Sequence, residues 1–100
     1  MAQMALVLTY EYVSDVLERR APHRDAHLAL IKQWSEDGPL AIGGALGDPP
    51  HAALLVFETE DRAKVEEFVD ADPYVAAGLV PKYTIEPWAI VAARPLAGEP

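Results

Sequence analysis

Cysteine is absent from this chain of 100 residues. That excludes disulfides, thiolate nucleophiles, Cys-ligated zinc and iron–sulfur clusters together. Basic residues are scarce: 8 Lys and Arg stand against 16 Asp and Glu, a formal charge of −8. Phosphate backbones and anionic lipid surfaces are bound by basic stripes, so neither nucleic acid nor a membrane is an expected partner. No apolar run approaches the roughly 18 residues that span a bilayer. The opening MAQMALVLTYEY has no basic n-region and no small-residue cleavage site, so a cytoplasmic protein is expected. The stretch GGALGDPP matches neither a P-loop nor a dinucleotide fingerprint. There is no nucleophile elbow around Ser14 or Ser35, and no haem or flavin signature.

Apolar surface, by contrast, is plentiful. Hydrophobic residues make up 51% of the chain, enough for one domain with a real core and too many for a disordered segment. An acidic chain is ordinarily soluble and monomeric. Half of its residues being apolar is generous for a monomer of this length.

Residues 4–12 alternate as a strand, with Leu6, Leu8, Tyr10 and Tyr12 on one face and Ala5, Val7, Thr9 and Glu11 on the other. Ser14-Asp15 is a helix-start signal, and Pro22 limits this first helix to a short turn over 15–20. Pro22 then opens a longer helix to about Asp37, with Gly38 as its stop and Pro39 beyond it. His27, Leu30, Ile31 and Trp34 form its apolar stripe at i, i+3, i+4 and i+7. Residues 40–46 and 52–58 are strands around the turn cluster at 47–50; the Gly43-Gly44 pair marks a bulge, a bend or a close approach. Thr59 is the expected N-cap of a second helix over 60–71, with the stripe Val65, Phe68, Val69 and Asp72. Asp72 precedes Pro73, which ends that helix. A short helical turn over 74–79 and a last strand over 83–93 complete the chain; Pro87 places that strand at an edge or a bulge.

The order β-α-β-β-α-β is the ferredoxin-like split arrangement: an α+β fold, a four-stranded antiparallel sheet with both helices on one face. Residues 1–95 read as one domain and 96–100 as a tail. The face without helices should be polar in a monomer. Here Leu54 and Val56 oppose Ala53, Leu55 and Phe57, so both faces are apolar. A second copy packing its sheet on this one, a symmetric homodimer, is the expected cover.

His23 and His27 have the i, i+4 spacing of helical metal ligands, but the string is HRDAH, with Arg24 where a zincin needs its glutamate. No metal is expected, although a site of His23, His27 and Asp72 is a third reading. His27 leads one buried stripe and Asp72 trails the other. With the two helices side by side, those polar ends meet at the rim of the layer as a His–Asp pair, a proton shuttle near neutral pH. Taken singly, each has a plainer reading, a core-edge histidine and a turn aspartate. Arg24, one turn before His27, either points a guanidinium at the same place to hold an anionic group or is a solvated helix-end arginine; Tyr74 and Trp34 are walls of that place, with plain core packing the stronger reading for both.

Three stretches resemble the YCII-related (YciI-like) family of the dimeric α+β barrel superfamily. HRDAHLALIKQWSEDGPLAIGGAL is similar to the family's Arg-x-x-His-Leu helix with its following Gly and strand. DADPYVAAGLV resembles the Asp-Pro-Tyr string, and YTIEPWAIV the closing strand. The resemblance implies a ferredoxin-like subunit that dimerises sheet to sheet, and a site on one His and one Asp, here His27 and Asp72. Arg24 falls on the family's preceding arginine; Tyr74 and Gly78 fall in the second motif. The chain departs from the family's Ala-Gly-Pro at Gly43-Gly44-Ala45, and its loop at 47–51 is short. Relatives in the superfamily include muconolactone isomerase-like enzymes, dehalogenases and cofactor-free monooxygenase-like proteins. The expected function is therefore a small enzyme without a cofactor. His27 and Asp72 would carry out acid/base chemistry (proton transfer, isomerisation, or elimination such as dehalogenation) on a small organic substrate, cyclic ones included. Arg24, Tyr74 and Trp34 would bind that substrate. The alternative is a non-catalytic dimeric small-molecule binder or structural module of the same fold.

Overall fold

The structure, a computed structural model, describes residues 3–96. Of the expected tail at 96–100, only Leu96 falls among them, and the rest lies outside the described residues. The elements in chain order are β1 (Gln3–Glu11), α1 (Val16–Arg19), a 3-10 turn (Ala21–His23), α2 (Arg24–Asp37), β2 (Leu40–Leu46), β3 (Ala52–Phe57), α3 (Arg62–Ala71), α4 (Pro73–Ala76) and β4 (Lys82–Ile90). The strands form one sheet in the order β2-β3-β1-β4, every pair antiparallel. This is the ferredoxin-like α+β arrangement. Pro87 has no N–H to give a ladder, and it sits on β4, an edge strand whose only neighbour among the described strands is β1.

Register puts the larger apolar side chains of the two central strands on one face. Leu6 lies opposite Phe57, Leu8 opposite Leu55 and Tyr10 opposite Ala53. Onto this face pack Val65, Phe68 and Val69 of α3, all but fully buried, with Leu30, Ile31 and Trp34 of α2 around them. Trp34, Phe57 and Phe68 meet edge to face, with centroids 5.4–6.1 Å apart. The opposite face carries Ile42, Leu46, Leu54 and Trp88, each more than a third exposed. Val7, Val56 and the backbone of Gly43 and Gly44 make the floor of the same shallow apolar surface.

One local expectation changes and another narrows. Helix α3 starts at Arg62 and its N-cap is Asp61, whose Oδ1 accepts from Ala63 N–H at 3.0 Å. Thr59 instead closes the turn before it, its Oγ1 accepting from Asp61 N–H at 3.1 Å. A carboxylate competes well for the positive end of a helix, so the cap falls two residues later than the hydroxyl. The shift in register on β2 lies between Leu40 and Ile42 and not at the glycine pair. Gly43 marks a close approach: a Cβ there would lie 3.3 Å from Leu55 Cγ. At the end of α4, Gly78 takes a φ of +76°, and Leu79 N–H reaches back to the Tyr74 carbonyl at 3.0 Å. That left-handed reversal favours glycine.

Candidate active site

The first turn of α2, the junction of α3 with α4 and the end of β1 converge at one rim of the helix layer. Asp72 stands at the junction, with extended backbone (φ −76°, ψ 118°), as a residue before proline must. Its carboxylate turns back to cap α4: Oδ1 accepts from Tyr74 N–H at 3.0 Å. The same oxygen lies 2.8 Å from His27 Nδ1, and Oδ2 accepts from the Tyr10 hydroxyl at 2.7 Å. Both oxygens are thus in use as acceptors, the state of a carboxylate. Since Asp72 accepts, His27 Nδ1 carries the hydrogen, and Nε2 is the nitrogen left to exchange a proton.

His27 and Asp72 are the buried polar and charged residues of the described chain, at 6% and 1% exposure. The His27 ring lies flat on Tyr74, with centroids 3.6 Å apart and planes at 5°. Tyr74 meets Tyr12 edge on at 6.2 Å. The stack therefore fixes the imidazole plane while Asp72 fixes its edge. Tyr10 is held in its protonated form far above the ordinary range, first by burial and then by the charge of Asp72 and their hydrogen bond. It is a permanent donor to the carboxylate. Burial, together with Tyr74 and Asp72, likewise pushes Tyr12 up to about 12.

A cavity of about 220 Å³ opens over this group, between α2 and the sheet. His27, Arg24 and Tyr74 line it. Trp34 does not join them: it lies two turns further along α2 in the aromatic core, and borders a different cavity of about 460 Å³. The charged side chains around that larger cavity (Asp37, Glu58, Lys64 and Glu67) belong to residues open to solvent, so no desolvated acid or base faces it. His23 ends the 3-10 turn outside the His27 cavity. Among the described residues no three His, Asp or Glu gather to hold a metal ion. No described helix is long and apolar enough to cross a membrane.

Three participants carry no clear mark in the sequence. Tyr10 falls on the correct face of β1, yet its role depends on a partner that periodicity does not reveal. Its one signal is a phenol at the end of an otherwise apolar face, where a buried O–H needs a partner. Tyr12 and Arg20 also line the cavity, Arg20 from the junction between α1 and the 3-10 turn that leads into α2.

Known proteins share this architecture. Residues 4–89 match the profile of the YCII-related domain. Protein YciI of Escherichia coli O6:H1 is 31% identical over 94 residues, covering 85% of this chain and 96% of its own. Among solved structures, the fold is shared with 5-chloro-2-hydroxyhydroquinone dehydrochlorinase (TftG) from Burkholderia phenoliruptrix AC1100, in complex with 2,5-dihydroxybenzoquinone. That match has a TM-score of 0.71 and 24% identity, and covers 84% of this chain and 92% of the other. NE2512 from Nitrosomonas europaea, a protein of unknown function, matches with a TM-score of 0.59 and 22% identity over 98% of both chains.

Proposed function

The chain belongs to the YCII-related domain family, and on that footing we propose that it is a small cytoplasmic, homodimeric enzyme that transfers protons without a cofactor. His27 Nε2 takes a proton from a carbon acid held in the cavity. Asp72 keeps the ring in the right tautomer and stabilises the imidazolium that forms. The electron pair left on the substrate then either collects a proton at another carbon, which is isomerisation, or expels a leaving group, which is elimination. Dehydrochlorination, the activity named for the Burkholderia protein, is an elimination of this kind. Arg24 holds an anionic or carbonyl oxygen of the substrate. The observation that carries the reading is the buried 2.8 Å contact of His27 with Asp72 at the base of a cavity.

One observation favours the plainer reading of a structural pair: Asp72 already has work as the cap of α4. The variant His27→Ala separates the two. Turnover of chlorinated hydroquinones or enolisable lactones lost by about 100-fold or more in the protein that stays folded supports catalysis. A large loss of stability without loss of turnover or ligand binding overturns it.

The homodimer rests on the uncovered sheet face, where Ile42, Leu46, Leu54 and Trp88 surround a shallow floor. A second copy placed face to face covers all of them at once. Light scattering at micromolar concentration should return twice the 10.9 kDa of one chain; a clean monomer mass refutes the dimer.

A further inference from the structure

The cavity over His27 has a charge opposite to that of the chain. The chain carries −8, yet Arg20 and Arg24 line this cavity and no described Asp or Glu does. Three of the other six cations sit against carboxylates: Arg19 on Asp15 at 3.6 Å, Arg62 on Glu66 at 3.7 Å, Lys82 on Glu11 at 3.6 Å. Arg20 and Arg24 make no such pair among the described residues. In a protein with two acids for every base, two unpaired guanidiniums at one cavity mark a place for an anion. Both are near enough to Tyr12 to draw its titration downward, against the larger effect of burial.

Tyr74 points the same way. Its side chain is 1% exposed and lines the cavity, and its hydroxyl is buried with no hydrogen-bond partner among the described residues. Buried hydroxyls are almost always paired, so this one awaits an acceptor from outside the chain. The floor on the sheet side is apolar and low: Gly43, Gly44 and Ala45 of β2, with Ala53 and Leu55 of β3. At about 220 Å³ the space is below the roughly 300–1,000 Å³ of drug-sized sites, and fits one ring.

We propose that Arg20, Arg24 and the Tyr74 hydroxyl form an oxyanion-recognition corner, and that the substrate is a single planar ring bearing an anionic oxygen group. The ring body rests on the glycine and alanine floor, its charged oxygens meet the two guanidiniums, and the remaining edge faces His27 Nε2. This rests on the proton-transfer reading for the meaning of His27, and it adds the substrate's charge and shape together with Arg20 as a binding residue.

The test is calorimetric titration of the full chain with benzoate and with benzamide, a neutral isostere. Benzoate should bind saturably by about 10 mM and at least about tenfold more tightly than benzamide. The expected variant series reflects one lost charge-assisted contact each. Arg20→Met and Arg24→Met each weaken benzoate by about tenfold, Arg20→Lys by less, and Arg19→Met, whose partner is Asp15, not at all. Benzoate should also shift the His27 ring resonances, which places it in this cavity. Equal affinity for the two probes, no saturable benzoate binding, or an Arg20→Met variant that binds benzoate like wild type overturns the proposal. Benzoate has no proton for His27 to abstract, so its binding and the turnover assay fail independently.

Discussion

Tyr10→Phe is the sharpest perturbation of the buried network, because it removes one oxygen and leaves the ring. The phenyl body stays packed between β1 and the helices, where Tyr10 is 0% exposed. The change deletes the 2.7 Å hydrogen bond to Asp72 Oδ2, an oxygen inside a fully buried side chain. A hydrogen bond to a charged group contributes about 1.5–3 kcal/mol. For a domain of this length each kcal/mol is about 4–8 °C, so the variant should melt about 6–24 °C below wild type at pH 7 and equal protomer concentration. A second readout distinguishes this hydrogen bond from general loosening. The unfolded chain releases a tyrosine proton near pH 10, whereas folded Tyr10 holds its proton to higher pH because of burial and Asp72. Above pH 10 the native state therefore keeps one proton more than the unfolded state, and Tyr10 makes stability fall with rising pH by about 1.4 kcal/mol per unit. Denaturant titrations from pH 8 to 11 should show that slope in wild type and a shallower one in Tyr10→Phe. A loss below about 0.5 kcal/mol at pH 7, well under the charge-assisted range, or identical alkaline slopes, refutes the claim that Tyr10 holds Asp72.

Single contacts elsewhere set three more outcomes. Leu54→Asp places a charge in the middle of the open sheet face, and sedimentation should show the 10.9 kDa monomer where wild type shows twice that mass. Phe68→Ala empties the aromatic cluster with Trp34 and Phe57 and should cost about 3–5 kcal/mol in urea denaturation, leaving the rim of the His27 cavity in place. At Gly78 a Cβ meets nothing closer than Arg19 at 3.9 Å, so Gly78→Ala isolates the backbone cost of its positive φ, about 1–2 kcal/mol by thermal melting.

Periodicity carries most of the fold. A stripe of period 3.6 interrupted by a polar residue locates His27 and Asp72 on separate helices, and the β-α-β-β-α-β order brings the helices side by side. The same logic fails for Trp34, because sharing a stripe with His27 places a residue on the same face of α2 without saying how far along the axis the cavity extends. Seven residues at 1.5 Å each is about 10 Å, enough to move the indole out of the site and into the core. The role of Tyr10 is hidden because its partner is 62 residues away. Arg20 is hidden because a half-buried arginine at the end of a four-residue helix has no periodic signature. The N-cap of α3 is ambiguous because Thr59 and Asp61 are both good caps, and only the backbone path after β3 decides between them.

Asp72 ties the chemistry to the fold. One carboxylate accepts from β1 through Tyr10, from α2 through His27 and from α4 through the Tyr74 amide, and so ties three elements together. Removing it leaves three buried donors unpaired, so Asp72→Ala loses stability and function at once and cannot tell them apart. Asp72→Asn is no cleaner, because its NH2 group puts donors in place of one of the two accepting oxygens. The informative changes are made on the donors, one at a time. Tyr10→Phe removes a donor that does not line the cavity and reads the structural share. His27→Ala removes the donor that faces the cavity and reads the chemical share. If the pair were purely structural, both variants would lose stability and the folded fraction of each would turn over alike, since each deletes one charge-assisted bond to the same carboxylate. A catalytic pair predicts an asymmetry in rate: stability falling with both variants, turnover mainly with His27.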